Sequence, residues 1–173
     1  MNPILVEVTR GNMVESRHRG AIAVVRANGQ TMLNVGDTGR LVYPRSAIKP
    51  IQAIYVVESG AAEAFNLSDV ELALACASHN GGPEHVSTVR AWLARLGLAE
   101  ETLECGAHAP RWEADWAALV EENLSPGPAH NNCSGKHCGF LSSARHLGLV
   151  TEGYILKEHP IQQAVLGLIG DMA

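Results

Sequence analysis

Hydrophobic and polar positions are arranged in two styles along this chain, with the change at Pro44. Before it, Ile4 to Thr9 and Ala21 to Arg26 read as strands. Asn28-Gly29 then supplies the positive backbone dihedrals of a hairpin turn into Thr31 to Val35. The chain therefore opens as a small antiparallel sheet. After Pro44 the apolar positions take helical spacing, with Ile48, Ile51, Ile54, Tyr55 and Glu58 leading to Gly60, a residue suited to the position after a helix end.

Further helices follow. Ser68 and Glu71 have capping-box spacing ahead of the apolar run Val70 to Cys76, and that helix gives way to Ser78-His79-Asn80-Gly81-Gly82. From Pro83, the residues Val86, Val89, Leu93 and Leu96 fall on one face, closed by Gly97. Trp112, Trp116, Leu119 and Val120 mark another amphipathic helix. Ser125 to Pro128 breaks the chain before a helix from Gly135 to Leu147, with Gly148 behind it.

From Pro160 the pattern is again helical, and it stops at Met172-Ala173 with Val165, Leu168 and Ile169 on one apolar face and no capping residue. The expectation is that the stripe is exposed and that the chain is cut inside a helix. A short antiparallel sheet followed by helices predicts the α+β class rather than a parallel βαβ alternation.

Bulk properties narrow the function. The 173 residues are 46% hydrophobic and 18% charged, which fits a globular chain with a core of its own and excludes a disordered or fibrous class. A net charge of -5 with a pI near 5.9 argues against a sequence-independent hold on nucleic acid, which requires clustered Lys and Arg. No basic region precedes a long apolar run at the N-terminus, and no run approaches the ~20 apolar residues of a membrane span. A cytoplasmic location is expected. Cys76, Cys105, Cys133 and Cys138 then read as reduced thiols or metal ligands rather than disulfides.

Three segments carry candidate chemistry. In Arg45-Ser46-Ala47-Ile48-Lys49-Pro50, a helix starting near Ser46 puts Ser46 and Lys49 on one face, and Pro50 suits a first helical turn. A serine hydroxyl needs a base to become a nucleophile, and a lysine taken out of water can serve. The plain alternative makes Ser46 a helix cap and Lys49 a surface charge.

Cys76-Ala77-Ser78-His79 leads into a glycine loop, so Ser78 is a second nucleophile or a proton relay, or else part of an ordinary helix end and turn. Asn131-Asn132-Cys133-Ser134-Gly135-Lys136-His137-Cys138 is not a phosphate loop, because His130 and His137 stand where Gly and Ser or Thr are required. Cys133, with Cys138 or His137, is instead a candidate zinc-type site, and the alternative is a packed helix start.

Taken together these segments resemble the Rhizobium-type L-asparaginase II family. The matching stretches are Arg45 to Pro50, Cys76 to His79, Cys105-Gly106-Ala107-His108 and Asn132 to His137, in family order. Weaker similarity includes Gly153-Tyr154 and His159-Pro160. The resemblance implies a fold similar to serine β-lactamases and glutaminases, a Ser46–Lys49 dyad, and Ser78 as the serine of a second dyad. Arg45 would position the dyad and substrate. Cys133 and Lys136 would be two ligands of a zinc ion near the substrate; Cys138 does not carry over.

The implied reaction is hydrolysis of L-asparagine to L-aspartate and ammonia through an acyl-serine. Family members are roughly twice as long, so residues 1–173 are expected to form the N-terminal part of the catalytic domain. A third zinc ligand, a cysteine, and the lysine partner of Ser78 would then lie beyond Ala173. On that expectation the chain alone is weakly active or inactive, and it self-associates or binds a C-terminal portion. Two rival readings are a glutaminase or penicillin-recognising acyl-serine hydrolase, and a noncatalytic zinc- or ligand-binding module.

Overall fold

In the computed structural model, which describes residues 1–172, the chain divides into two compact units, Met1–Tyr43 and the remainder from Pro44. The first unit holds strands β1 (Ile4–Arg10), β2 (Met13–Arg19), β3 (Ile22–Val25) and β4 (Thr31–Val35). They form two antiparallel pairs, β1 with β2 and β3 with β4.

The expected hairpin across Asn28-Gly29 is present, but the single sheet is two. The strand Met13–Arg19 was not legible, because its run of Glu, Ser, Arg and His lacks the apolar alternation that marks a strand. Pairing supplies what propensity does not: Arg17 pairs with Glu7 across the strands at 2.8 Å, and Arg10 with Glu15 at 2.6 Å.

The second unit is helical. After a 3-10 turn at Arg45–Ile48 come α1 (Lys49–Glu58), α2 (Ala61–Ala64), α3 (Asp69–Cys76), α4 (Pro83–Leu96), α5 (Glu113–Glu121), α6 (Ser134–His146) and α7 (Pro160–Met172). The α+β class stands. Gly60, with φ of 81°, takes the left-handed conformation between α1 and α2 that a side chain resists. Ser68 and Glu71 close the capping box of α3 in both directions. Glu71 also receives a charge-assisted bond from Arg95, which ties α3 to α4.

The core gathers around α6. A Cβ on Gly135 would stand 2.5 Å from the Leu74 carbonyl oxygen, and one on Gly139 would stand 2.9 Å from a Val56 methyl. These two glycines share a face of α6 and let α3 and α1 approach closely. On the other side the fully buried Trp92 of α4 donates its indole N–H to Ser142 Oγ at 2.9 Å, and Ser142 donates to the Cys138 carbonyl at 2.8 Å. Cys138 is thus a core thiol.

Two apolar stripes differ from expectation. No residue of α5 is buried, and Trp112, Trp116 and Val120 are exposed, so its amphipathic pattern does not face the core. In α7 the reverse holds. Val165 is buried and Leu168 and Ile169 are half-buried, with the helix lying against α1, so this stripe is not the open surface expected. Among the described residues no helix is long and apolar enough to cross a membrane.

Candidate functional site

Arg45 has φ of 51°, an uncommon conformation for a side-chain-bearing residue, immediately ahead of Ser46. The backbone bends there and then runs through the 3-10 turn into α1, with Pro50 in its first turn, where a missing N–H costs little. Ser46 is left exposed. Lys49, by contrast, is 2% exposed and points into the protein. It is neither a surface charge nor a neighbour of a capping serine: Ser46 caps no helix.

Lys49 Nζ donates to the Ala77 carbonyl at 2.7 Å and to Ser78 Oγ at 2.8 Å, with the Asn132 carbonyl at 3.5 Å. Ser78 Oγ in turn donates to Ser46 Oγ at 3.0 Å. The three sequence candidates therefore form one chain in the order lysine, Ser78, Ser46. Among the described residues no hydrogen bond joins Lys49 to Ser46 directly; the link between them runs through Ser78. Ser78 also has a lysine partner within this chain, where one beyond Ala173 was expected.

His79 anchors the loop that carries Ser78. Its Nδ1 accepts the Gly81 N–H at 3.1 Å, so the ring proton sits on Nε2 and is donated to Ser134 Oγ at 2.8 Å. Burial first, then the charges of His85, Lys49 and His130, push its pKa down to about 4, and the ring is neutral.

Ser46 opens onto a cleft of about 650 Å³ whose walls include Arg45, Cys105, Arg111, Cys133 and Lys136. Asn131 builds one wall. Its Nδ2 donates to the Cys105 carbonyl at 2.8 Å and to the Gly106 carbonyl at 3.0 Å, and its Oδ1 accepts the Cys133 N–H at 2.8 Å. A buried amide thereby fixes the Cys105 loop against the start of α6.

Cys133 and Lys136 share this cleft, whereas Cys138 lies in the core with burial raising its pKa strongly, which removes it as a ligand candidate. All four cysteines are free thiols, and burial pushes Cys105 up to about 11. Burial lowers the Lys136 pKa; the Cys133 thiol opposes this and Lys49 adds to it. Its Nζ stands 5.6 Å from the centre of the Phe140 ring.

His137, the other ligand candidate, is committed through Nδ1. The Tyr154 hydroxyl accepts the Glu104 N–H at 3.0 Å and shares a hydrogen bond with His137 Nδ1 at 2.6 Å. Burial, then Lys136 and Lys49, push the pKa of His137 down to about 3. Among the described residues no group of three or more His, Cys, Asp and Glu side chains gathers as a metal site.

Reading the sequence missed Glu104 and Arg111 and gave no role to Asn131 or Tyr154, although both stand in segments singled out there. Nothing in the local pattern marks Glu104 or Arg111, and the bonds that Asn131 and Tyr154 make depend on contacts distant in sequence.

The buried lysine thus meets a serine pair beside a cleft with two further cations. No curated protein matches the chain. A family model described as L-asparaginase II matches residues 6–173; the chain belongs to that family, which places it among the amidohydrolases that act on asparagine.

Proposed function

We propose that Ser46 is the nucleophile in hydrolysis of the L-asparagine side-chain amide, with Ser78 as proton relay and Lys49 as base. The observation that carries this reading is the continuous chain from Lys49 Nζ through Ser78 Oγ to Ser46 Oγ, with steps of 2.8 and 3.0 Å.

Its stoichiometry works for an unprotonated lysine. In that form two N–H hydrogens would stay on the Ala77 and Asn132 carbonyls, and the lone pair would replace the N–H now donated to Ser78. Rotation of the two hydroxyls reverses the serine bonds, so that Ser46 donates to Ser78 and Ser78 to Lys49. As Ser46 Oγ attacks the amide carbon, its proton moves to Ser78 and the Ser78 proton moves to the amine. The proton then returns along the same path to the leaving nitrogen, the C–N bond breaks, and ammonia departs. Water attacks the resulting ester by the same relay, giving aspartate and free Ser46. Arg45, at the mouth of the cleft, would position substrate.

Cys133 and Lys136 suit a zinc-type cation in donor chemistry, a soft thiol beside an amine that burial biases toward its neutral form. They would be its protein donors. When bound, zinc would supply a positive centre that orients substrate, because Ser46 already provides the nucleophile.

Acyl-enzyme trapping tests the reading. Asparagine mixed with the protein and quenched in acid should leave an aspartyl ester on the peptide containing Ser46, detected by mass, and none on Ser46→Ala. Rapid ammonia release with an unmodified Ser46 peptide would point to direct attack by water instead.

A further inference from the structure

The cleft at Ser46 has the guanidinium groups of Arg45 and Arg111 in its walls, and among its lining residues Glu104 is the one carboxylate. In the described residues no Lys, Arg or His forms an ion pair with Glu104. It is nonetheless held in place. Its backbone N–H donates to the buried Tyr154 hydroxyl at 3.0 Å, and its Oε1 accepts the Gly153 N–H at 2.6 Å. Gln162, another lining residue, donates to the Tyr154 carbonyl at 2.9 Å and braces the same corner.

An α-amino acid presents a negative and a positive group on one carbon. The guanidinium groups of the cleft meet the requirement for its carboxylate. The ammonium requires an acceptor, and a fixed carboxylate with no cation of its own answers that requirement at little ordering cost. Only one oxygen of Glu104 is committed to Gly153, which leaves Oε2 for a ligand.

We propose that Glu104 is the subsite for the α-ammonium group of the substrate, and so selects free amino acids over amides that lack that group. The inference rests on the amidase reading for the identity of the ligand, but its test does not require turnover. A site built to bond a polar substrate group discriminates against analogues without it, because its own buried partner is then left unpaired.

The experiment compares L-aspartate with succinate, its analogue without the α-ammonium, by titration calorimetry on the full chain. Wild type should bind aspartate more tightly. Glu104→Gln keeps an oxygen for the Gly153 N–H while removing the charge, and should weaken aspartate by about 10- to 100-fold with succinate within about twofold. Glu104→Asp should recover part of the discrimination and guards against a folding defect in the glutamine variant.

The same contrast should appear in turnover, with Glu104→Gln raising KM for asparagine and sparing succinamate. Equal weakening of aspartate and succinate would reduce Glu104 to a structural brace and overturn the proposal, as would no change in either or no aspartate binding by wild type. If aspartate binding depends on Glu104 while no amide is hydrolysed, the subsite stands and the amidase reading falls.

Discussion

Lys49 meets Ser78 at 2.8 Å and reaches Ser46 only through it. In a direct Ser46–Lys49 dyad, Ser78 would be an accessory whose loss is tolerated. In the relay, removing any member breaks proton transfer. Ser46→Ala, Lys49→Ala and Ser78→Ala should each lower asparagine turnover by at least ~10²-fold, and the double variants should lose little more than the singles. Steady-state kinetics on the set decides between the two. Near-normal turnover by Ser78→Ala would remove the relay and leave the question of how the buried lysine reaches the nucleophile.

The pairing of Cys133 with Lys136 predicts a metal-dependent phenotype that the other thiols lack. Zinc bound by protein purified without chelator should fall on Cys133→Ser or Lys136→Ala and be unaffected by Cys138→Ser, because Cys138 lies in the core away from the cleft. Elemental analysis at constant protein concentration is the check. Zinc absent from wild type, or lost equally with Cys138→Ser, would exclude the two residues as a metal site.

Local rules carried most of the helices. The capping box at Ser68, the glycine after α1 and the apolar face of α4 are decided within a turn or two of chain, and each stands in the structure. They failed where the deciding partner is distant. Strand Met13–Arg19 exists because β1 pairs with it, and α5 is helical without burying the face its pattern implies. The site shows the same division. Ser46, Lys49, Ser78, Cys133 and Lys136 stand in short segments of unusual residue types, and the structure brings them to one region. That Lys49 belongs to Ser78, and that Asn131 and Glu104 build the walls, depends on contacts between segments 25 or more residues apart. No local period encodes those.

Close approach at α6 makes a stability prediction with an internal control. Gly135→Ala places a methyl 2.5 Å from the Leu74 carbonyl oxygen, a backbone atom that cannot swing aside, so α3 and α6 must separate. Overpacking of this kind costs about 1–3 kcal/mol. Gly167 of α7 has open space around its Cβ position, and alanine there should stabilise by about 0.5–1 kcal/mol through helix propensity. Thermal melts of the two variants should move in opposite directions. A melting temperature unchanged by Gly135→Ala would mean that α3 and α6 are less tightly engaged than described.

Acid should destabilise the fold partly through His79. In the unfolded chain this imidazole titrates at the ordinary 6.5, while burial and neighbouring positive charge hold it to about 4 in the fold. Between those values the unfolded state carries a proton that the folded state does not, so stability rises with pH across this window and is flat outside it as far as His79 is concerned. The difference corresponds to about 3 kcal/mol, lost as the pH falls from 6.5 to 4. His137, pushed down to about 3 by burial, adds a dependence of the same sign that extends lower. His79→Gln can still donate to Ser134 but cannot take up a proton. Its unfolding free energy, from urea titrations at intervals between pH 4 and 7, should vary less steeply than that of wild type, and its deficit against wild type should be largest near neutrality. Parallel pH profiles for the two proteins would show that His79 is not held neutral by the fold, and the tautomer assigned through Gly81 and Ser134 would fall with it.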